Sequence, residues 1–419
     1  MLDIKFIREN IDLVKNNSAN RLAKVDIDEL LQLDEKRRAL ITEAEALRQE
    51  RNAASKSKPD AEQIAAMKAL GEKLAALEKG EGEIAGRLKE LLLTVPSLTH
   101  PDVKVSDDED DNPVLETVGE IPKFDFTPKD HIELGEALDI IDLDRATKVA
   151  GAKFYFLKNE LARLNLALAN YCIDIISKRG YQLFTTPDIA KTDIIENLGY
   201  NPRGESSQVY ELAGTDLSLI GTGEITLGGY HSDEVLDKEK LPLRYAAYTH
   251  CFRTEAGAYS KYSKGIFRVH QFDKVEMFVY CTPEDAEKLH EELLDIEKEI
   301  FSGLEIPFRV IDHCTADLGN PSFRTFDLEA WMPGKPNKDG GMGDWAEVTS
   351  CSNCTDYQSR GLNIKYKDAD GKHFAYTLNG TGVAISRALI ALMENHQQAD
   401  GAINVPKALR AYVPFTEIR

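Results

Sequence analysis

The sequence predicts an α+β protein: an N-terminal antiparallel helical hairpin, then a mostly antiparallel sheet flanked by helices. Three observations predict it. Leu30, Leu33, Arg37, Leu40, Ala44 and Leu47 recur on a 3,4 spacing, and Met67, Leu70, Leu74, Leu77, Glu81, Ile84, Leu88 and Leu91 repeat it after a polar break. Such spacing marks the seam of paired helices. From about Gly119 the texture changes to strands separated by hairpin-like loops rather than regular crossover helices, which favours antiparallel pairing. Residues 241–280 read as two strands around a loop, with one face too polar for a core.

Composition sets outer bounds. A chain of 419 residues suggests two or three domains, and 42% hydrophobic residues can bury a large core. The net charge of −20 excludes a non-specific nucleic-acid binder, so any such contact must use local basic patches. Six sparse cysteines fit a reducing compartment better than a disulfide framework. The first residues, MLDIKFIREN, lack a long apolar core, and no apolar run approaches the ~18 residues of a membrane span. A soluble, cytoplasmic protein without membrane contact is the expectation.

In chain order, residues 1–105 form the helical arm. Its limbs, roughly 27 to 30 residues each, would reach about 40–45 Å. Arg37 and Glu81 fall on the seam and make it imperfect, while Arg48, Arg51, Lys56 and Lys58 give the tip a basic character. The acidic, proline-bearing stretch 106–118 reads as a linker, and 119–419 as the second domain. A helix over 161–178 closes at Gly180, followed by a strand, YQLFTTPDI, that contains Pro187 and so belongs at an edge or a special contact. Pro283 opens a further helix, strands PFRVID and RTFDLEAW follow, and 333–343 reads as a Gly/Pro loop. From Asn379 a glycine-rich turn opens a very apolar helix.

The polar face lies within 241–280. The first strand, LRYAAYTHCFRTE, carries Arg253 and Glu255 on one side, because strand side chains alternate. After a ten-residue loop, Ala256 to Gly265, the second strand places Arg268, His270, Phe272, Lys274 and Glu276 together. Arg253 and Glu255 alone read as a cross-strand ion pair on a wet face. Arg387, in an otherwise apolar helix, needs a partner, and this face matches it in composition. No phosphate-loop signature, HExxH or EF-hand occurs, and the two GxG fragments at 221 and 380 are too short for a dinucleotide site. Cys351 and Cys354 form a single CxxC, read as two buried or turn thiols rather than a metal site.

With these residues in view, the chain resembles the seryl-tRNA synthetases, a class II aminoacyl-tRNA synthetase family. The resemblance spans almost the whole chain. It rests on GYQLFTTPDI at Gly180, CFRTEAGAYSKYSKGIFRVHQFDKVE at Cys251, and NGTGVAISRALIALMENHQQADG at Asn379, the three class II motifs in order. TGE at Thr222 and EVTSCSNCTDYQSR at Glu347 lie between them. The implied fold is a class II antiparallel sheet flanked by helices, behind a coiled-coil arm.

The resemblance implies a serine–tRNA ligase that makes seryl-adenylate from L-serine and ATP and transfers serine to tRNA(Ser), with tRNA(Sec) as a further substrate. It assigns catalysis to Arg253 and Arg387. ATP falls to Arg253, Thr254, Glu255, Val269, Phe272, Glu347, Val348, Thr349, Ser350 and Arg387, with Phe272 stacked on adenine. Mg²⁺ falls to Glu347 and Ser350, and serine to Thr222, Gly223, Glu224, Arg253, Glu276 and Thr381. How Glu276 and Thr381 divide the ammonium and the hydroxyl stays open. The tRNA would meet Arg48, Arg51, Lys56, Lys58, Lys261 and Lys264. A homodimer through the first motif is implied, each arm serving the other subunit. Gly223, Ile225 and Thr226 depart from the usual pattern and put the fit of the serine pocket in doubt. Two alternatives stand beside this: a synthetase-like ligase for a carrier protein, and a non-catalytic paralogue.

Overall fold

A computed structural model of the chain describes residues 1–54, 61–200, 207–256 and 262–419. It divides into two compact units, Met1–Leu98 and Thr99–Arg419.

The first unit contains helices α1 (Ile4–Glu9), α2 (Ile11–Asn20), α3 (Ile27–Ala54) and α4 (Ala61–Thr94). Asp3 caps α1 by accepting from the backbone amides of Lys5 and Phe6. The base is a small core in which Ile7, Val14 and Leu30 meet Leu88, Leu91 and Val95. Higher up, Ala44 and Leu74 stay buried along the α3–α4 seam. The two polar seam residues answer each other: Arg37 Nε lies 2.7 Å from Glu81 Oε1. Such half-exposed pairs add little stability but help fix the register of the limbs. Leu30 is fully buried. Leu30→Ala is expected to lower this unit's stability by about 3 kcal/mol, read as an earlier helical transition in urea.

The second unit is built on an eight-stranded sheet. In chain order its strands are β1 (Val114–Val118), β2 (Gln182–Phe184), β3 (Leu243–Phe252), β4 (Gln271–Cys281), β5 (Phe308–Asp312), β6 (Arg324–Pro336), β7 (Met342–Asn353) and β8 (Tyr376–Ala384). Their spatial order is β1-β5-β6-β7-β8-β4-β3-β2, antiparallel except for the β2–β3 pair. On β4 the alternation is clean. Val275, Met277 and Val279 face helices α5 (Asn159–Lys178), α7 (Ala286–Gly303) and α8 (Ile385–Asn395), while Phe278 and Tyr280 join a second core with Tyr245 and Ala247. The short helix α6 (Gly223–Gly229) packs on β3 and β4.

Four expectations are corrected. The stretch 106–118 is no free linker. Ser106 N donates to the Thr315 hydroxyl at 3.1 Å, Cys314 N donates to the Asn112 side chain at 2.8 Å, and Val114–Val118 pairs with β5 as the sheet edge. Its acidic residues hide backbone partners that composition cannot reveal. The strand at Gln182 ends at Phe184, and Pro187 lies in the break before a second short strand, Ile189–Lys191. The supposed 333–343 loop is mostly hairpin: β6 runs to Pro336 and β7 starts at Met342. The stretch from Asn379 to Ala384 is strand, not a turn. Its glycines serve close packing: a Cβ on Gly380 would lie 3.2 Å from Leu293 Cδ2, and one on Gly382 only 2.6 Å from Cys172 Sγ.

Candidate active site

One face of β4 forms the floor of a cavity of about 480 Å³. Phe272, Lys274 and Glu276 point into it, as alternation requires. Neighbouring β8 adds Asn379 and Thr381, β7 adds Glu347 to Ser350, and α8 begins with Ser386 and Arg387 at its edge. Thr222, Glu224, Arg253, Glu255 and Val269 complete the predicted set that lines it.

At one end the groups suit anions. Arg253 Nε donates to Gly221 O at 3.2 Å, and its guanidinium lies 5.3 Å from the Phe272 ring centre. Arg387 Nη1 lies 3.1 Å from Glu347 Oε1 and donates to the Glu347 carbonyl at 3.0 Å, while its guanidinium covers the Phe267 ring. Burial works to raise the Glu347 pKa, but Arg387 and then Arg253 outweigh it and hold the carboxyl below its ordinary value. With 49% of its side-chain surface accessible, Glu347 meets only a modest burial penalty, and the pull of two guanidiniums keeps it an anion.

Glu255 reaches the cavity by a different route from the one expected. Strand β3 stops at Phe252, and Glu255 has φ +51°, a left-handed turn rather than extended backbone. Arg268 Nη1 donates to its carboxylate at 2.8 Å. The second strand likewise begins at Gln271, later than the expected Ile266, so Arg268 and Val269 come from the loop. Buried Arg268 Nε has no hydrogen-bond partner among the described residues. Thr254 does not line the cavity; its amide donates to Gln208 O at 3.1 Å. Thr349 spends its hydroxyl on buried Glu297, at 2.7 Å.

The other end is acidic. Thr222 caps α6, its hydroxyl accepting from Glu224 N at 3.3 Å. The Glu224 carboxylate receives Tyr200 OH at 2.6 Å, Gln358 Nε2 at 2.6 Å and Asn379 Nδ2 at 3.1 Å. Burial first, then Glu276, raises its pKa, and Tyr200 and Gln358 pull it back. Glu276 is ion-paired with Lys274. Gly223 does not line the cavity but sits under it, where a Cβ would come 3.1 Å from Glu276 Cβ and 3.2 Å from Thr249 Oγ1. The glycine at 223 thus lets α6 pack closer to Glu276 than a residue with a Cβ could.

Sequence reasoning missed Tyr200, Asn379 and His313 as lining residues and gave Arg268 and Lys274 no role. Arg268 and Lys274 were recoverable from alternation and motif position; Tyr200 and His313 lie far off in sequence and carried no signal. His313 sits between Asp327 Oδ2 at 2.9 Å and Asp317 Oδ2 at 3.3 Å. Burial acts to lower its pKa, but Asp327 and Asp317 push it up to about 10. A folded-state value above the ordinary 6.5 means the stabilisation is full below about pH 6.5 and is lost as pH rises through about 10. His313→Gln is expected to cost about 3 kcal/mol near neutrality. Thermal melts should show that gap to wild type narrowing towards pH 10.

The expected tRNA contacts are only partly described. Lys56, Lys58 and Lys261 lie outside the described residues. Arg51 is exposed, Arg48 Nη2 sits 2.7 Å from Glu78 Oε1, and Lys264 is ion-paired with Asp130. All six cysteines are buried free thiols. No helix among the described residues is long and apolar enough to cross a membrane.

An antiparallel sheet whose face joins clustered arginines to an acid-lined pocket defines a class II synthetase. Residues 209–396 match the tRNA synthetase class II core domain (G, H, P, S and T), and residues 1–99 match the seryl-tRNA synthetase N-terminal domain. The serine–tRNA ligase of Treponema denticola is 53% identical, with all of both chains aligned, and that of Dictyoglomus turgidum is 48% identical over 100% of this chain and 99% of its own. The seryl-tRNA synthetase of Pyrococcus horikoshii complexed with ATP superposes with a TM-score of 0.87 at 37% identity, covering 100% of this chain and 99% of that one. The chain belongs to the seryl-tRNA synthetase family, and it is an aminoacyl-tRNA ligase.

Proposed function

We propose that this chain activates L-serine with ATP and passes the seryl group to the 3′ end of tRNA(Ser), with tRNA(Sec) as a further substrate. The observation that carries this is Arg253, which lines one cavity with Glu347, Arg387, Glu224 and Glu276 and holds its guanidinium 5.3 Å from the Phe272 ring centre. One guanidinium fork there can hold the α-phosphate and the serine carboxylate together. The carboxylate oxygen attacks the α-phosphorus, the bond to the β-phosphate breaks, and pyrophosphate leaves. The 3′-terminal hydroxyl then attacks the seryl carbonyl and AMP departs. Neither step needs a protein nucleophile; positioning and charge neutralisation supply the catalysis.

Arg387 and the Nε of Arg268, which has no hydrogen-bond partner among the described residues, suit the outer phosphates, Glu255 the adenine amino group, and Phe272 the adenine face. Val269 and Val348, both buried, and the backbone around Thr349 would wall the nucleotide. Thr222 and Glu224 would take the serine ammonium. Glu347 and Ser350 offer hard oxygen donors to Mg²⁺, which would neutralise phosphate charge. Among the described residues no three His, Cys, Asp or Glu side chains gather to hold a metal, so the remaining oxygens would come from the triphosphate. A cytoplasmic homodimer whose domains are the units Met1–Leu98 and Thr99–Arg419 completes the reading; the buried free thiols support the compartment.

Arg387→Ala is expected to lower serine-dependent pyrophosphate–ATP exchange about 10²-fold. A near-normal rate would remove Arg387 from the phosphate site.

A further inference from the structure

We propose that Lys274 sets the pocket's amino-acid specificity by neutralising Glu276. Glu276 is then left for the substrate's uncharged hydroxyl, while Glu224 takes its ammonium. This rests on the serine-activating reading above and settles a division of labour that the sequence left open.

Lys274 and Glu276 stand two residues apart on β4, on the face that floors the cavity. Both are buried, at 6% and 1% exposure, and they are ion-paired. Lys274 Nζ lies 3.5 Å from Thr381 Oγ1, which in turn lies 3.5 Å from Glu276 Oε2. The three groups form a closed triangle with hydrogen-bonding capacity to spare for a hydroxyl, since the hydroxyl of Thr381 can turn to donate or accept.

The charges around the pocket can be counted. Glu224 and Glu276 bring two carboxylates, and Lys274 brings one cation. Glu297 lies beneath, buried, and burial drives its carboxyl towards the neutral form. Arg253 is committed to the carboxylate and phosphate of the substrate. Burial also raises the Glu224 carboxyl, and an arriving ammonium favours its charged form, so one carboxylate is left to meet one ammonium. Among the described residues Glu224 has no ion-pair partner: its three hydrogen bonds come from a phenol and two amides. An amino acid with a second ammonium in place of the hydroxyl would meet Lys274 as a like charge, which costs heavily in a buried site.

The test is full-length enzyme in pyrophosphate–ATP exchange with L-serine and with L-2,3-diaminopropionate, which carries that second ammonium. Wild type, Lys274→Met and Lys274→Gln are compared, each checked for folding by thermal melting. The expected result is a wild type that strongly prefers serine, and variants whose kcat/KM ratio moves at least about 30-fold towards diaminopropionate. A parallel fall for both substrates, with the ratio unchanged, would overturn the proposal and leave Lys274 a packing residue. Absence of serine-dependent exchange in wild type would instead overturn the reading on which it rests.

Discussion

Arg253→Ala is expected to lower serine-dependent pyrophosphate–ATP exchange by about 10³-fold, with little change in thermal stability. Removing a single preorganised donor already costs about 10²–10³ in rate, and Arg253 is asked to hold two anions at once. It also stands against Phe272, so its loss loosens the adenine end. Its only described protein bond from the side chain is one donated to the Gly221 carbonyl, so folding depends on it little. Arg253→Lys should recover only a small part of the rate, because a point charge cannot bridge two oxygens on different groups. An alanine variant within tenfold of wild type would remove Arg253 from the reacting centre.

Replacing residues 30–92 by a short linker is expected to leave the exchange reaction near normal. It should lower charging of tRNA(Ser) by about 10²-fold or more. The helical hairpin lies in a unit separate from the one that holds the cavity, and its basic residues suit a phosphate contact. Each phosphate neutralised steepens the salt dependence by about 0.9 in the log–log slope for duplex DNA and somewhat less for single strands. Three or four contacts from the tip therefore predict that raising salt from about 50 to 200 mM weakens tRNA binding by one to two orders of magnitude. Arg48 should contribute least of these, since Glu78 already engages it. Equal charging by the shortened chain would end the tRNA role of the arm. It would also revive the alternative of a ligase for a carrier protein, which the match of residues 1–99 to the seryl-tRNA synthetase N-terminal domain disfavours.

Much of this was legible in the sequence because two periodicities carried it. The 3,4 spacing marked Leu30, Ala44, Leu74 and Leu88, all of them buried, and even the polar seam pair Arg37 and Glu81 found each other. Alternation along β4 put Phe272, Lys274 and Glu276 on one face, where they line one cavity. What failed was structure set by partners distant in sequence. The sequence implies an extended Glu255, because nothing local announces the left-handed turn that Arg268 steadies through the Glu255 carboxylate. The glycines at 380 and 382 suggest a turn in the sequence. Their reason is the approach of Leu293 and Cys172 from two helices, which no local pattern reveals. The acidic run before Pro113 reads as solvated, yet Asn112 and Ser106 bond to Cys314 and Thr315 two hundred residues on.

The most direct test of the central claim is pyrophosphate–ATP exchange by the wild-type chain with each of the twenty amino acids in turn. An Arg253 fork between a triphosphate site and a pocket with one uncompensated carboxylate predicts exchange with serine and, at most, weak exchange with threonine, whose extra methyl a small pocket rejects less completely. Exchange driven by a different amino acid, or none with serine, would contradict the account.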